Sequence, residues 1–486
     1  MVTWTLKARR RLRSLLARWL CVTDAASEHD PGQNDFFSAR MAARLAELEL
    51  VLGEVFPDGD HIIVQDVLLG YRRHENRYIF LVEVAGGGQP GGHVVKIGPA
   101  NKLQQELNAW ESCRPEGLVH DLVLLPLTLG YLAPGEDPDR WMALHYGAAH
   151  QLIGVELVTM FEDAAITSIL HGWPMLESIG VVLWELYERL GHLLYFVQFE
   201  YDPAKEYDAD GQQRYVLEIK HLEESLKRWQ EPPLNHVQRI VNVALQNKTG
   251  AGQFINPVDY LRKSVLKAVP WQKDDQSVCQ PVAGVGLPLP EELVPGMMRG
   301  CAHGDLHGRN ILVGQVHGRV LWPTVFDYED MGPCNWIGWD FVKMETELKT
   351  RIYHRLFRGP LARRQEDGEL EQHFVESVAA FEQDLAAETE RCHRNNTWPG
   401  VSEAATAEER LKAVLLEIRH RAAIHLGVNF GRPNRWLEEY YFLLGCYGVS
   451  VARYGNLLDK ESAGAMVSAG VAFAHMSWPR NFSGGP

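Results

Sequence analysis

The stretch that most constrains this chain runs from Cys301 to Asp330. It reads C-A-H-G-D-L-H-G-R-N-I-L-V from Cys301 to Val313 and V-F-D-Y-E-D from Val325 to Asp330. Asn310 stands five residues after Asp305, and Asp327 seventeen after Asn310. A short apolar strand (Ile311, Leu312, Val313) follows the Asn. A second (Val320, Leu321, then Val325, Phe326) delivers the later Asp. Two carboxylates and an amide at this spacing suit phosphoryl transfer. One Asp orients a nucleophilic hydroxyl, while an Asn and a second Asp hold metal on nucleotide phosphates.

The bulk properties bound that reading. A chain of 486 residues can form two or three domains or one large two-lobed enzyme. With 46% hydrophobic and 23% charged residues it has the make-up of a folded globular protein. A net charge of −15 argues against a general nucleic-acid binder, which needs a basic face. The seven cysteines, at 21, 113, 279, 301, 334, 392 and 446, include no C-x-x-C pair. Their odd count and wide spacing speak against a disulfide framework or zinc site and point to a reducing cytoplasm. No apolar run reaches eighteen residues, so no transmembrane helix is expected.

Residues 1–25 stand apart. Lys7, Arg9, Arg10, Arg11, Arg13 and Arg18 alternate with Leu6, Leu12, Leu15, Leu16, Trp19 and Leu20. The pattern is a basic amphipathic helix over 6–20. It either packs on its own protein with a solvated basic face, which we prefer, or contacts an anionic membrane or a partner. A linker follows over 24–35, then a helix over 36–55. From 61 to 150 the pattern is β-rich, with runs at 61–69, 78–84, 93–97, 122–129 and 141–146, and a strand or hinge at 153–160. The 93–97 strand carries one lysine, Lys96, among apolar residues. Such a lysine is either an edge residue or a phosphate-contacting group held by a carboxylate of the next helix. That helix, 101–112, offers Glu106, with Glu111 as the alternative. Past 160 the chain is largely helical: 175–198, three segments within 201–300, then 341–357, 371–389, 407–427, 434–454 and 461–476. Loops are expected at 270–297 and 391–406.

At this point the residues resemble a family. H-G-D-L-H-G-R-N-I-L-V followed by V-F-D resembles the catalytic and metal-binding segments of aminoglycoside phosphotransferases and choline kinase-like enzymes. The V-V-K-I-G strand is also similar to kinase-like domains of bacterial conflict and signalling systems. The resemblance implies an α+β, two-lobed protein-kinase-like fold, with a small β-rich N-lobe, a large helical C-lobe and an N-terminal helical extension. The implied division is 1–55 for the extension, 56–155 for the nucleotide-binding N-lobe, and 156–486 for the C-lobe, with the catalytic segment at 301–340 and an insertion at 201–300. It implies ATP and Mg²⁺, with Asp305 as the catalytic base or hydroxyl-orienting residue and Asn310 and Asp327 on metal. Lys96 would lie on the nucleotide phosphates, held by Glu106. His303 would shape the loop, and His307 would line the site or stabilise the loop. Asp340 would brace the catalytic region or cap the helix beginning at Phe341. The chain departs from the kinase pattern in having no G-x-G-x-x-G; the matching turn, 69–76, has one glycine and Arg72 and Arg73.

Thirteen positions separate Asp327 from Asp340, and no A-P-E occurs, so there is little room for a peptide-docking activation segment. The expected activity is transfer of the ATP γ-phosphate to a hydroxyl of a small molecule. The alternatives are a kinase acting on a protein, or a catalytically inactive kinase-like binding or signalling module.

Overall fold

The computed structural model describes residues 1–14, 33–59, 61–68, 78–87, 90–113, 127–132, 141–195, 198–201, 257, 261, 271–273, 279–281, 295–357, 367–402, 404–452 and 457–476. The expected linker at 24–35, apart from its last residues, the turn at 69–76 with Arg72 and Arg73, and most of the 201–300 insertion with its helices lie outside the described residues. The chain forms two compact units, Met1–Asp163 with Arg309–Pro333, and Ala164–Gly308 with Cys334–Pro486. The N-terminal region is built on sheet and the C-terminal part on helices, so the architecture is α+β.

The first unit is built on a six-stranded sheet. Its strands are β1 (Val2–Trp4), β2 (His61–Leu68), β3 (Tyr78–Ala85), β4 (Gly91–Pro99), β5 (Leu127–Leu132) and β6 (Trp141–Ala148), in the order β1-β2-β3-β4-β6-β5. β1 runs parallel to β2, and every other pairing is antiparallel. Runs such as Ile62-Ile63-Val64 and Val94-Val95 suit a pleated backbone. Period-two alternation then sorts the faces. Val95 and Ile97 join Phe80 and Val82 in a core shared with α1 (6–14) and α2 (Gln33–Val55). Lys96, between them, points to the opposite face, where α3 (Ala100–Cys113) packs.

The N-terminus begins with a strand that the sequence pattern did not suggest. β1 adds to the sheet edge beside β2, with Val2 opposite Ile62, and α1 then turns back over the sheet. Ala8 and Leu12 are buried in the core, while Arg9, Arg10 and Arg13 are exposed. Lys7 and Arg11 each reach the buried Asp66 carboxylate at 2.9 Å. The described part of the basic helix therefore lies on its own protein with a solvated basic face; residues 15–20 are outside the description. Leu12 is fully buried, so Leu12→Ala is expected to cost about 2–5 kcal/mol, read as a fall in thermal unfolding midpoint.

A second sheet in this unit joins β7 (Leu157–Met160), β12 (Ile311–Val316) and β13 (Arg319–Val325), all antiparallel, in the order β13-β12-β7. The β12–β13 hairpin closes through two residues, His317 and Gly318, at φ 49° and 75°. Two consecutive positive φ values match the right-handed strand twist. This hairpin presents Asn310 just before its first strand and Asp327 just after its second.

In the second unit, α4 (Phe161–His171) begins at the boundary and α5 (Leu176–Leu193) follows. β8 (Gln198–Tyr201) pairs antiparallel with β11 (Met297–Ala302), which has β14 (Gly332–Trp336) on its other side. β9 (Trp271–Lys273) and β10 (Cys279–Pro281) form an antiparallel pair inside the region expected to be a Pro/Gly-rich loop. Among the described residues five further helices follow: α6 (Ile337–Leu356), α7 (Asp367–Asn395), α8 (Ala407–Ala422), α9 (Trp436–Val451) and α10 (Asp459–His475). The loop expected from 391 starts only at 396, because α7 carries its amphipathic pattern through Cys392 and Asn395. α8 starts at a capping box, with the Thr406 hydroxyl accepting the Glu409 N–H and the Glu409 carboxylate accepting the Thr406 N–H.

Helix α6 is the centre of this unit. Sixteen of its twenty residues are buried, which is burial on every side, although Asp340, Lys343, Glu345, Glu347 and Lys349 are among them. Those charges are matched by side chains of the surrounding helices and, for Asp340 and Lys343, by the loop 303–305. Among the described residues no helix is long and apolar enough to cross a membrane.

Candidate active site

In the first unit the residues singled out by sequence converge on Lys96. Its ammonium lies 2.6 Å from Glu106 Oε2 and 2.6 Å from Asp327 Oδ1. Glu106, not the exposed Glu111, faces the lysine. The buried face of α3 runs through Leu103, Glu106, Trp110 and Cys113, which sets the carboxylate at its centre. Glu106 is fixed from two further sides. Its Oε1 accepts the Tyr328 N–H at 3.0 Å and the Tyr146 hydroxyl. Burial first, then the charges of Glu106 and Asp327, push Tyr146 well above the ordinary tyrosine value, so it stays a donor.

Asp327 differs from its partners in exposure. Its side chain is 25% exposed, while those of Lys96 and Glu106 are at 2% or less. Its backbone lies in the left-handed region at φ 68°, which Asp tolerates better than most residues and which turns the chain sharply after β13. The next residue, Tyr328, is fully buried, packs its ring tilted against Trp110 with centroids 4.6 Å apart and donates its hydroxyl to Val325 O at 2.8 Å. Tyr328 thus locks the turn from both backbone and side chain. Asn310 is buried, and its carbonyl accepts the Phe326 N–H at 3.1 Å, tying the two ends of the hairpin together.

In the second unit Asp305 sits on the loop between β11 and the hairpin. Its Oδ1 accepts from Lys343 Nζ at 2.7 Å, and its Oδ2 lies 3.6 Å from His307 Nε2. Burial works to raise its pKa, but the charges of Lys343 and His307 outweigh it and hold the carboxyl well below the usual range. His303 Nδ1 accepts the Asp305 N–H at 3.3 Å, the arrangement of a loop-shaping residue. Gly304, between them, has φ 78°, a conformation that an L side chain would resist.

Asp340 grips this loop from below. It lies inside the first turn of α6, which begins at Ile337, so it does not cap the helix. Its carboxylate accepts the N–H groups of His303 (3.0 Å) and Gly304 (2.8 Å) and the Tyr195 hydroxyl (2.9 Å). Burial dominates here and raises the Asp340 pKa, against the opposing pull of His303 and these hydrogen bonds.

Sequence reasoning missed four contributors: Tyr146, Tyr328, Tyr195 and Lys343. Lys343 alone left a local signal, a charge three residues after Asp340 in G-W-D-F-V-K, where both fall on one helix face. The tyrosines are distant in sequence from the carboxylates they touch; Tyr328, though it follows Asp327, donates its N–H to Glu106.

The arrangement has consequences for metal. Among the described residues no group of three or more His, Cys, Asp or Glu side chains is gathered that could hold a metal ion. Asp327 and Asn310 offer a part-exposed carboxylate and an amide, which are oxygen donors. That donor chemistry is of the kind that takes Mg²⁺.

No family model matches the chain, and no curated protein matches it. Among solved structures it is similar to a glucosamine kinase in complex with glucosamine, ADP and inorganic phosphate. That match has 12% identity over 78% of each chain and a TM-score of 0.32. It is also similar to a spectinomycin phosphotransferase in complex with ADP and spectinomycin, at 12% identity over 77% of this chain and 97% of that one, with a TM-score of 0.26.

Proposed function

We propose that this chain is a protein-kinase-like phosphotransferase that moves the γ-phosphate of ATP, with Mg²⁺, to a hydroxyl of a small molecule. The observation that carries the reading is the Lys96 cluster. A strand lysine has one buried carboxylate behind it on a helix and one part-exposed carboxylate in front, at the end of a hairpin. Such an ammonium can exchange its front partner for a phosphate oxygen and keep the one behind, which holds it in place.

In this reading Lys96 contacts the nucleotide phosphates and Glu106 positions it, with Tyr146 and Tyr328 fixing Glu106. Asn310 and Asp327 hold Mg²⁺, which when bound neutralises phosphate charge. Asp305 orients the acceptor hydroxyl and takes its proton. Asp340 and His303 shape the loop that carries Asp305. The division into a nucleotide-binding 56–155 and an acceptor-binding 156–486, with the 201–300 insertion contributing to the acceptor pocket, is part of the same proposal.

Asp327→Ala tests it. The variant is expected to lose Mg²⁺-dependent ATP binding by about tenfold or more, measured by titration calorimetry with and without the metal. Equal ATP affinity in wild type and variant, or affinity indifferent to Mg²⁺ in both, would overturn the reading and favour a binding module without turnover.

A further inference from the structure

We infer that Lys343 is a positioning residue for the Asp305 carboxylate; the inference rests on the phosphotransferase reading above. Lys343 and Asp340 stand three residues apart on α6 and so share a face. Asp340 holds the loop by the N–H groups of His303 and Gly304. Lys343 holds it by its opposite polarity, donating to Gly304 O at 2.7 Å and to Asp305 Oδ1 at 2.7 Å. One helical turn thus grips three consecutive residues through their donors and their acceptors.

The grip on Asp305 is specific to one oxygen. With Oδ1 held by Lys343 and Oδ2 3.6 Å from His307 Nε2, the plane of the carboxylate is set, and with it the direction of the Oδ2 lone pairs. A hydroxyl approaching Asp305 then meets an acceptor already oriented, which is where positioning contributes to rate. Lys343 itself is held. It is buried, its ammonium lies 5.6 Å from the centroid of the Tyr447 ring, and the Tyr447 hydroxyl donates to Glu347 at 2.9 Å. A buried ammonium is retained only where an anion and hydrogen-bond acceptors compensate it, and Asp305 with Gly304 O supply both.

The test follows ADP release from MgATP by the full chain, with water or a panel of alcohols as acceptor. Lys343→Met is expected to lower kcat about 100-fold, as displacement of a reacting group does. Its KM for ATP should stay within about twofold of wild type, because the lysine acts through Asp305 and the loop that carries it. For the same reason the double variant Asp305→Asn/Lys343→Met should be no slower than Asp305→Asn alone, and Lys343→Arg should recover part of the loss. Unchanged kcat in Lys343→Met, or losses that multiply in the double variant, would overturn the inference. If Lys343→Met does not fold by circular dichroism, Lys343→Gln, which keeps a donor and loses the charge, carries the same cycle. A wild-type chain that releases no ADP overturns the phosphotransferase reading itself. Turnover in the wild type with an indifferent Lys343 variant overturns this inference alone.

Discussion

Asp305→Asn is expected to lower ADP release from MgATP by about 10²–10⁴-fold, the range contributed by a positioned base. The fold and the ATP affinity should remain close to wild type. The substitution keeps the shape of the side chain and leaves an oxygen for Lys343, so the loop retains its grips from Asp340 and from Gly304 O. What is lost is the charge that accepts the hydroxyl proton. The pH dependence has a definite sign. Lys343 and His307 overcome the burial of Asp305 and hold its folded pKa well below 3.8. The carboxylate is therefore ionised throughout the neutral range, and its contributions to activity and to stability are lost only as pH falls into strong acid. Turnover that is unchanged in Asp305→Asn would remove this residue from the chemistry.

The largest effect on stability is expected from Arg419→Leu. Arg419 is fully buried and meets Glu345 with both faces of its fork, Nε to Oε2 at 2.9 Å and Nη2 to Oε1 at 2.6 Å. Its Nη1 also donates to Thr389 Oγ1 at 2.8 Å. Glu345 accepts the Tyr440 hydroxyl at 2.6 Å and pairs with Lys349, which in turn reaches Glu382 at 2.9 Å. Removing the arginine leaves a buried carboxylate short of its principal partner, a loss of about 3–5 kcal/mol, measurable by chemical denaturation. The companion Arg419→Leu/Glu345→Leu, which removes both charges, should recover a substantial part. Acid should narrow the gap. Burial raises the Glu345 pKa, but Arg419 and Lys349 outweigh it and bring it from 4.5 to about 2. A depressed carboxyl contributes stability above its unfolded value and loses it as pH falls through the folded one. The difference between wild type and Arg419→Leu is therefore full at neutral pH and shrinks between about pH 4.5 and 2. A gap that widens in acid would show that Glu345 is not the group left exposed to the loss.

Much of this was legible in the sequence, and the exceptions have a common cause. Helices α6 to α10 and strands β2, β3 and β4 lie within a few residues of their expected bounds, because apolar periodicity is a local property. Strand β1 left no such trace. Three residues pair in parallel with a strand some sixty positions away, and nothing in V-T-W itself reports the partner. The same holds within the candidate site. The H-G-D-L-H-G-R-N string exposes its own residues, while Tyr146 and Tyr195 serve Glu106 and Asp340 from distant elements. Nor does the charge of α6 announce its burial. Asp340, Lys343, Glu345, Glu347 and Lys349 are buried because partners distant in sequence match them.

That central helix also bears on how the protein comes into being on the ribosome. The partners that Glu345, Glu347 and Lys349 find outside α6 include five that are translated after it: Glu382, Arg419, Tyr440, Tyr447 and Ser468. Until those residues have emerged, Glu345, Glu347 and Lys349 lack these partners, and burying them would leave charge uncompensated. Burial of this part of α6 thus waits on the translation of α7 to α10. A stop before Arg419 would remove not a peripheral helix but the guanidinium that compensates the buried Glu345.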